Sequence, residues 1–302
     1  MAVIEGITKI NGVPTSCNVY LYQVDTGELT SAVISAPDTG YYLFDQVPSN
    51  TQFTVAATSI PSILGIAPQM SSRFELPGPL GDPYWTNVVV LLNLDGSLEN
   101  MAGVNFTASP TALTYVDGRI GNALQFTGNG SQWALCEILP EMELSGELFT
   151  IEFFAKLTPQ STGSRVPLSY GQGNGRDLGW WINLNTGGVR FIQSSNGYGS
   201  NTSSAGASMP PTLDTTEWFH IAICRSAGGD TLFFIDGELI STGNLPESWN
   251  ISNTGLSVGR LNYSSYTYPF IGSIDGVRIT KGVSRYTESF NPPVDPFPTS
   301  AD

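Results

Sequence analysis

Histidine occurs once in this 302-residue sequence, cysteine three times, and lysine and arginine together only twelve times. Each scarcity removes a class of function. Cys17, Cys136 and Cys224 are too widely spaced, and His220 too isolated, to supply the close Cys and His groups of a zinc or iron site. Each cysteine sits inside a strand-like run, so buried free thiols are expected. Acids outnumber bases 26 to 12, for a net charge of −14 and a pI near 4.3. A surface of that sign repels phosphate, which excludes nucleic acid and an anionic membrane as the main partner. No run of 18 apolar residues is present, so no helical membrane insertion is expected, and Met1 to Glu5 lack the basic start and apolar stretch of a signal peptide. The reading is a soluble protein that is not exported by its own signal. Helical periodicity is missing too: no window of eleven residues keeps an apolar stripe at helical spacing, and 33 glycines and 20 prolines interrupt the pattern throughout.

What remains is strand grammar in two blocks. Length alone makes two domains the expectation, and 40% hydrophobic content is enough to give both a core. In residues 1–81, Cys17, Val19 and Leu21 alternate with Asn18, Tyr20 and Tyr22, and turn signals at Asp25-Thr26-Gly27 and Pro37-Asp38-Thr39-Gly40 separate short strands. This predicts a small antiparallel β-sandwich. Three prolines and two glycines in residues 77–83 mark a linker. In residues 82–302 the apolar run 88–92 reads as a strand covered on both faces. Phe149, Ile151, Phe153, Ala155 and Leu157 make one wholly apolar face against Thr150, Glu152, Phe154 and Lys156. Further strands are expected at 178–184, 189–193 and 218–224, and Asp236-Gly237 between 231–235 and 238–241 is the signal for a type I′ hairpin. Residues 270–298 open as a strand holding a turn or bulge at Asp275-Gly276 and close in a proline-rich exit. The fold class predicted is all-β: a small antiparallel sandwich followed by a large two-sheet jelly roll.

Candidate chemistry is sparse. His220 lies out of phase with Phe219 and Ile221 in a strand and reads as a hydrogen-bonded structural residue rather than a triad member. Gly171 to Gly175 have the glycines of a phosphate loop but neither the Lys-Ser/Thr that should follow nor a helix to open. The aromatics offer more. Adjacent Trp180 and Trp181 must point to opposite faces of a strand. Trp249, Tyr263, Tyr266 and Tyr268 lie in polar stretches, and Tyr198 sits at the tip of the small-residue, uncharged loop 194–208. Aromatics beside amides suit stacking on a sugar ring with hydrogen bonds to its hydroxyls, but packing between subunits uses the same residue types, and core burial is a third reading.

Residues 1–81 resemble carboxypeptidase-regulatory, or transthyretin-like, domains through Asn11-Gly12-Val13-Pro14, Thr26-Gly27-Glu28 and Asp38-Thr39-Gly40-Tyr41-Tyr42-Leu43-Phe44. The resemblance implies a non-catalytic spacer or docking module. Trp218-Phe219-His220-Ile221-Ala222, Phe234-Ile235-Asp236-Gly237, Val258-Gly259-Arg260 and Ile274-Asp275-Gly276-Val277-Arg278 resemble strands of laminin-G-like, concanavalin A-like domains. Gly81-Asp82-Pro83-Tyr84-Trp85, Thr280-Lys281-Gly282-Val283-Ser284-Arg285-Tyr286 and the proline exit are similar to versions found in tailed-bacteriophage virion proteins. The laminin-G-like resemblance implies a calcium site at one rim, for which Asp95, Asp236 and Asp275 are the candidates, each also a turn former beside glycine. It also admits a jelly-roll glucanase. That chemistry needs paired carboxylates on one strand, and Glu141 and Glu143, behind a proline and before a Ser-Gly turn, read as a loop. The expectation is a non-enzymatic virion structural protein of tail, fibre or capsid surface, present in several copies. It docks other virion proteins through residues 1–81 and offers its jelly roll to host-surface polysaccharide; a host adhesin is the alternative.

Overall fold

The computed structural model describes residues 2–7, 9–10, 13–14, 17–23, 29–36, 38–47, 53–59, 81–103, 106–109, 113–136, 142–159, 161–172, 177–198, 202–250, 255–261 and 268–301. The chain divides into two compact units, Met1–Pro79 and Leu80–Asp302. Among the described residues no helix is long and apolar enough to cross a membrane.

The first unit contains β1 (Ala2–Ile7), β2 (Lys9–Ile10), β3 (Val13–Pro14), β4 (Cys17–Gln23), β5 (Leu29–Ile34), β6 (Tyr41–Val47) and β7 (Phe53–Ser59). All the pairings are antiparallel: β4 lies between β5 and β7, and β1 pairs with β6. Period-2 alternation works as the sequence predicts. Val19 and Leu21 join Ile4, Tyr42, Phe44 and Val47 in one core, while Ile7, Tyr41 and Leu43, the alternate residues of β1 and β6, face solvent.

The second unit is a jelly roll of β8 (Val88–Leu92), β9 (Thr107–Ala108), β10 (Thr114–Asp117), β11 (Asn122–Thr127), β12 (Ala134–Cys136), β13 (Phe149–Leu157), β14 (Leu168–Gln172), β15 (Asp177–Asn185), β16 (Gly188–Ser194), β17 (Thr202–Ser208), β18 (Phe219–Arg225), β19 (Asp230–Ile235), β20 (Glu238–Asn244), β21 (Leu256–Val258) and β22 (Ile271–Lys281). The first sheet runs β10-β11-β22-β13-β18-β19-β20, with β8 also on β22, and the second runs β17-β16-β15-β14-β21-β12-β9. Ile151, Ile223 and Phe233, register neighbours on the first sheet, meet Trp180, Ile182 and Phe191 of the second in one continuous core. The hairpin at Asp236-Gly237 has positive φ at both residues, 47° and 75°, as a type I′ turn requires. Asp275-Gly276 is a bulge inside a continuous strand: the register of β13 on β22 shifts between Glu152 and Phe154.

One expectation changes. Residues 194–208 are not one loop, because 202–208 form β17, an edge strand paired with β16 from Ser208↔Gly188 to Thr202↔Ser194. The other face of β13 is buried as well, apart from half-buried Lys156. Glu152 is 0% exposed, because residues 282–298 run back across the outside of the first sheet. Thr150 Oγ1 donates to the Val283 carbonyl (3.1 Å) and accepts from Arg285 N (2.8 Å). Phe290 N donates to Gly237 O (2.8 Å), and Phe297 packs on Phe154 and under the Arg278 guanidinium. Beneath this strap lies a buried ion network. Arg278 pairs with Glu152 and Asp82 at 2.9 Å each, and Arg285 with Asp82 at 2.7 Å. Tyr286 donates its hydroxyl proton to Glu152 (3.0 Å). Burial alone would raise the Glu152 carboxyl; Arg278, His220 and Arg285 outweigh it and hold the pKa at about 2. Asp82 N also donates to Ser300 O, which brings both ends of the unit together.

Candidate functional site

On β15, Ile182 and Leu184 turn into the core, so Asn183 and Asn185 between them must face outward. Antiparallel register then places their neighbours. Asn183 lies beside Arg190, which lies beside Gly206; Asn185 lies beside Gly188, which lies beside Ser208. These residues floor a groove of about 630 Å³ whose wall is completed by Gly163, Ser164 and Ser204, a volume in the range of small-ligand sites. Local bonds hold the amides in place. Arg165 N donates to Asn183 Oδ1 (2.8 Å), Gly187 N to Asn185 Oδ1 (2.8 Å), and Asn185 Nδ2 to the Gly163 carbonyl. A side chain at Gly206 would collide with Val189 O and come within 2.7 Å of Arg190 Cγ, so glycine there leaves the arginine room to stand in the groove. The surface formed is flat, open and hydrogen-bonding, suited to a hydroxyl-rich ligand.

The predicted site residues scatter. Tyr268 is exposed (39%) with φ 38°, and its carbonyl accepts from Val166 N (3.1 Å), two residues from Ser164 in the groove wall. Tyr198, exposed at 37%, belongs to the other end of β15, where Leu178 N donates to Gly197 O. At about 3.3 Å per residue that end is roughly 23 Å from Asn185. Trp249 is a correction: it is 6% exposed and packs edge-on against Phe149 and Phe191 in the core. Its exposed neighbours Glu247 and Ser248 disguised it, and Ser145 Oγ, accepting from Trp249 N and donating to its carbonyl, holds the loop so that the ring turns inward. Tyr263 and Tyr266 lie outside the described residues. Trp180 is buried and Trp181 half-buried on the opposite face.

The three aspartates do not meet either. Asp275, Phe154 and His220 are register neighbours across three strands, and Asp236, in the turn after β19, donates its N–H to the His220 carbonyl (2.9 Å). Asp236 is therefore about 14 Å from Asp275, at roughly 4.8 Å per strand. Its Oδ1 accepts from His220 N (2.8 Å), a turn role. Asp95 and Asp275 do share a cleft, which Asn93 and Asp295 also line. Asp95 Oδ1 accepts from Asn122 N (2.6 Å) and Asp275 Oδ2 from Ile120 N (3.0 Å). Burial, with the Asp95 charge adding to it, pushes Asp275 up to about 6. Calcium takes six to eight oxygens, and among the described residues no three His, Cys, Asp or Glu side chains converge on one point. The three aspartates therefore do not make a calcium cage.

Glu143 accepts from Ser145 N (2.8 Å) in a turn, and Glu141 lies outside the described residues, as do residues 173–176 of the glycine-rich loop. His220 is fully buried, with its ring tilted against Phe154 at a centroid distance of 4.9 Å. It lies 3.3 Å from Glu152, an ion-pair distance without hydrogen-bond geometry. Cys136 and Cys224 are buried and outside any disulfide, with Cys224 pushed by burial to about 12; the side chain of Cys17 lies outside the described residues.

A family model for the concanavalin A-like lectin/glucanases superfamily matches residues 127–285, just over half of the sequence and most of the jelly roll. The chain belongs to this superfamily. The chain is also similar in fold to solved structures. Domain 4 of an extracellular arabinanase from Geobacillus stearothermophilus, solved in complex with arabinotriose, aligns at 21% identity and TM-score 0.50, covering 66% of this chain and 94% of that one. The binding domain of botulinum neurotoxin serotype D aligns at 16% identity and TM-score 0.51, covering 67% of this chain; the chain spans only half of that toxin domain. At such identities the likeness is one of fold. No curated protein sequence matches this chain. The groove residues Asn183, Arg190 and Ser208 escaped sequence reading, although the alternation of Asn183 and Asn185 with Ile182 and Leu184 was a period-2 signal for an outward polar pair.

Proposed function

We propose that this chain is a non-catalytic structural component of a bacteriophage particle whose jelly roll binds a polysaccharide of the host surface. The observation that carries the glycan reading is the groove on the second sheet. Amides and hydroxyls fixed on flat strands match the hydroxyl arrays of sugars, and the fold is shared with a domain solved holding arabinotriose. The particle setting rests on the likeness of Thr280 to Tyr286 and the proline exit to virion proteins. In this reading the first unit docks onto other virion proteins, and the exposed row of Ile7, Tyr41 and Leu43 supports that role by offering apolar surface. The chain is then present in several copies and reaches the host surface with the particle.

Two measurements test this. Purified full-length protein on an array of bacterial surface polysaccharides is expected to bind, with Asn183→Ala weakening the best binder at least tenfold and the length of the bound polysaccharide unchanged after incubation. No binding removes the glycan reading, and release of shorter oligosaccharides replaces it with a hydrolase. Mass spectrometry of purified particles is expected to find the chain; its absence removes the virion setting.

A further inference from the structure

We infer that the groove takes an anionic saccharide, one whose carboxylate or phosphate group is met by the guanidinium of Arg190. The inference rests on the glycan-binding reading above and narrows it to a charge class. In a chain with 26 acids and 12 bases, the 13 described residues lining this groove include no Asp or Glu and a single cation.

Most of the other described arginines are engaged elsewhere, although Arg119, exposed over the Phe154 ring, and half-buried Arg165 likewise have no ion pair among the described residues. Arg278 and Arg285 are paired with buried carboxylates, Arg225 donates to the Leu245 and Pro246 carbonyls, and Arg260 donates to Gly130 O and covers Trp133. Among the described residues Arg190 is exposed and has neither an ion pair nor a side-chain hydrogen bond. Gly206 beside it keeps the space around its stem clear. A planar guanidinium presents paired N–H donors that match a carboxylate or phosphate in two parallel bonds, which a neutral hydroxyl cannot accept equally well. The floor around it places Asn183 about 4.8 Å to one side and the Asn185 row about 7 Å along the strand, so hydroxyls next to the anionic group have donors and acceptors within reach.

The net charge of −14 opposes this only at long range. At physiological salt charges are screened over about 8 Å, so within the groove Arg190 decides the sign. The protein would then reject polyanions in general and accept one that fits here.

The experiment uses full-length protein on polysaccharides sorted as neutral, uronate-bearing and phosphate-bearing, followed by calorimetry on the best binder and on its carboxyl-reduced or dephosphorylated form. Expected is binding confined to the charged groups, with which of the two binds identifying the anion. Arg190→Gln, on an exposed position, is expected to lower affinity at least tenfold. The neutralised polysaccharide should bind the wild type no better than the charged one binds that variant. Binding confined to neutral glycans, or unchanged affinity in Arg190→Gln, overturns the inference and leaves the glycan reading standing. Loss of all binding in the wild type overturns both.

Discussion

Glu152 shows how much one residue can carry in this molecule. It has no contact with solvent, yet its carboxyl is held at about 2, because Arg278 at 2.9 Å and its other partners outweigh the burial that would raise it. Removing one partner of such a group leaves the others buried and uncompensated. Glu152→Gln is expected to cost about 3–5 kcal/mol at pH 7 in urea unfolding. The folded-state pKa is depressed, so this stabilisation is complete above the ordinary value of 4.5 and is lost as pH falls toward 2. The gap between wild type and variant should close over that window, and a gap independent of pH would contradict the assignment. Asp275 has the opposite sign. Its pKa is raised from 3.8 to about 6, so the folded state holds the proton more tightly and stability falls as pH rises between those values. Asp275→Asn should therefore gain about 2–3 kcal/mol on wild type between pH 4 and pH 7. Calcium at pH 7.5 is the companion measurement: carboxylates that line the cleft without converging on one point leave the wild-type Tm unchanged, whereas a cage would raise it and Asp275→Asn would abolish the rise.

The strap formed by residues 282–298 turns a one-sided sheet into a layer buried on both faces. Tyr286 and Phe290 stack at 3.5 Å, and both contact Phe234 of β19. The strap is seated on the β19–β20 turn, where Phe290 N donates to Gly237 O and Leu239 N donates to Ser289 Oγ (3.0 Å). At Gly237 φ is 75° and a Cβ would collide with the Phe290 carbonyl, so glycine there serves both the turn and the strap. Gly237→Ala is expected to cost about 2–3 kcal/mol. Gly229→Ala is the control: φ is 83°, but a Cβ would meet nothing nearer than 3.9 Å, so strain alone acts. Its cost should be about 1 kcal/mol. Equal urea midpoints for the two variants would show that the strap does not rest on this turn.

For the whole molecule, the division at Leu80 separates two cores of unequal size. The larger unit is closed on itself. Asp82 bonds to Ser300 through the backbone and to Arg278 and Arg285 through its carboxylate, so residues from both ends share one buried network. Leu80–Asp302 expressed alone is expected to fold and to melt within about 3 °C of its transition in the full chain, read by calorimetry. A shift of ten degrees or more would mean that the smaller unit supplies stability the larger one lacks.

Much of this fold was legible in the sequence because its determinants are local. Alternation at Val19 and Leu21 and along 149–157 sets which side chains face a core, since a strand has period 2 whatever it pairs with. Asp236-Gly237 specifies its own turn, because the two residues tolerate positive φ. The candidate site was not legible for the opposite reason. Arg190, Asn183 and Ser208 come from three strands, and only register brings them side by side. The small-residue stretch 202–208 has little strand propensity of its own and is a strand because β16 offers it an edge. Polar neighbours made Trp249 look exposed, whereas the space between two sheets decided its burial. The sequence by itself determined strand, turn and family; the tertiary structure alone decided that Glu152 is buried beneath the C-terminal strap and that Arg190 stands in the groove, because both depend on what lies across the sheet rather than along the chain.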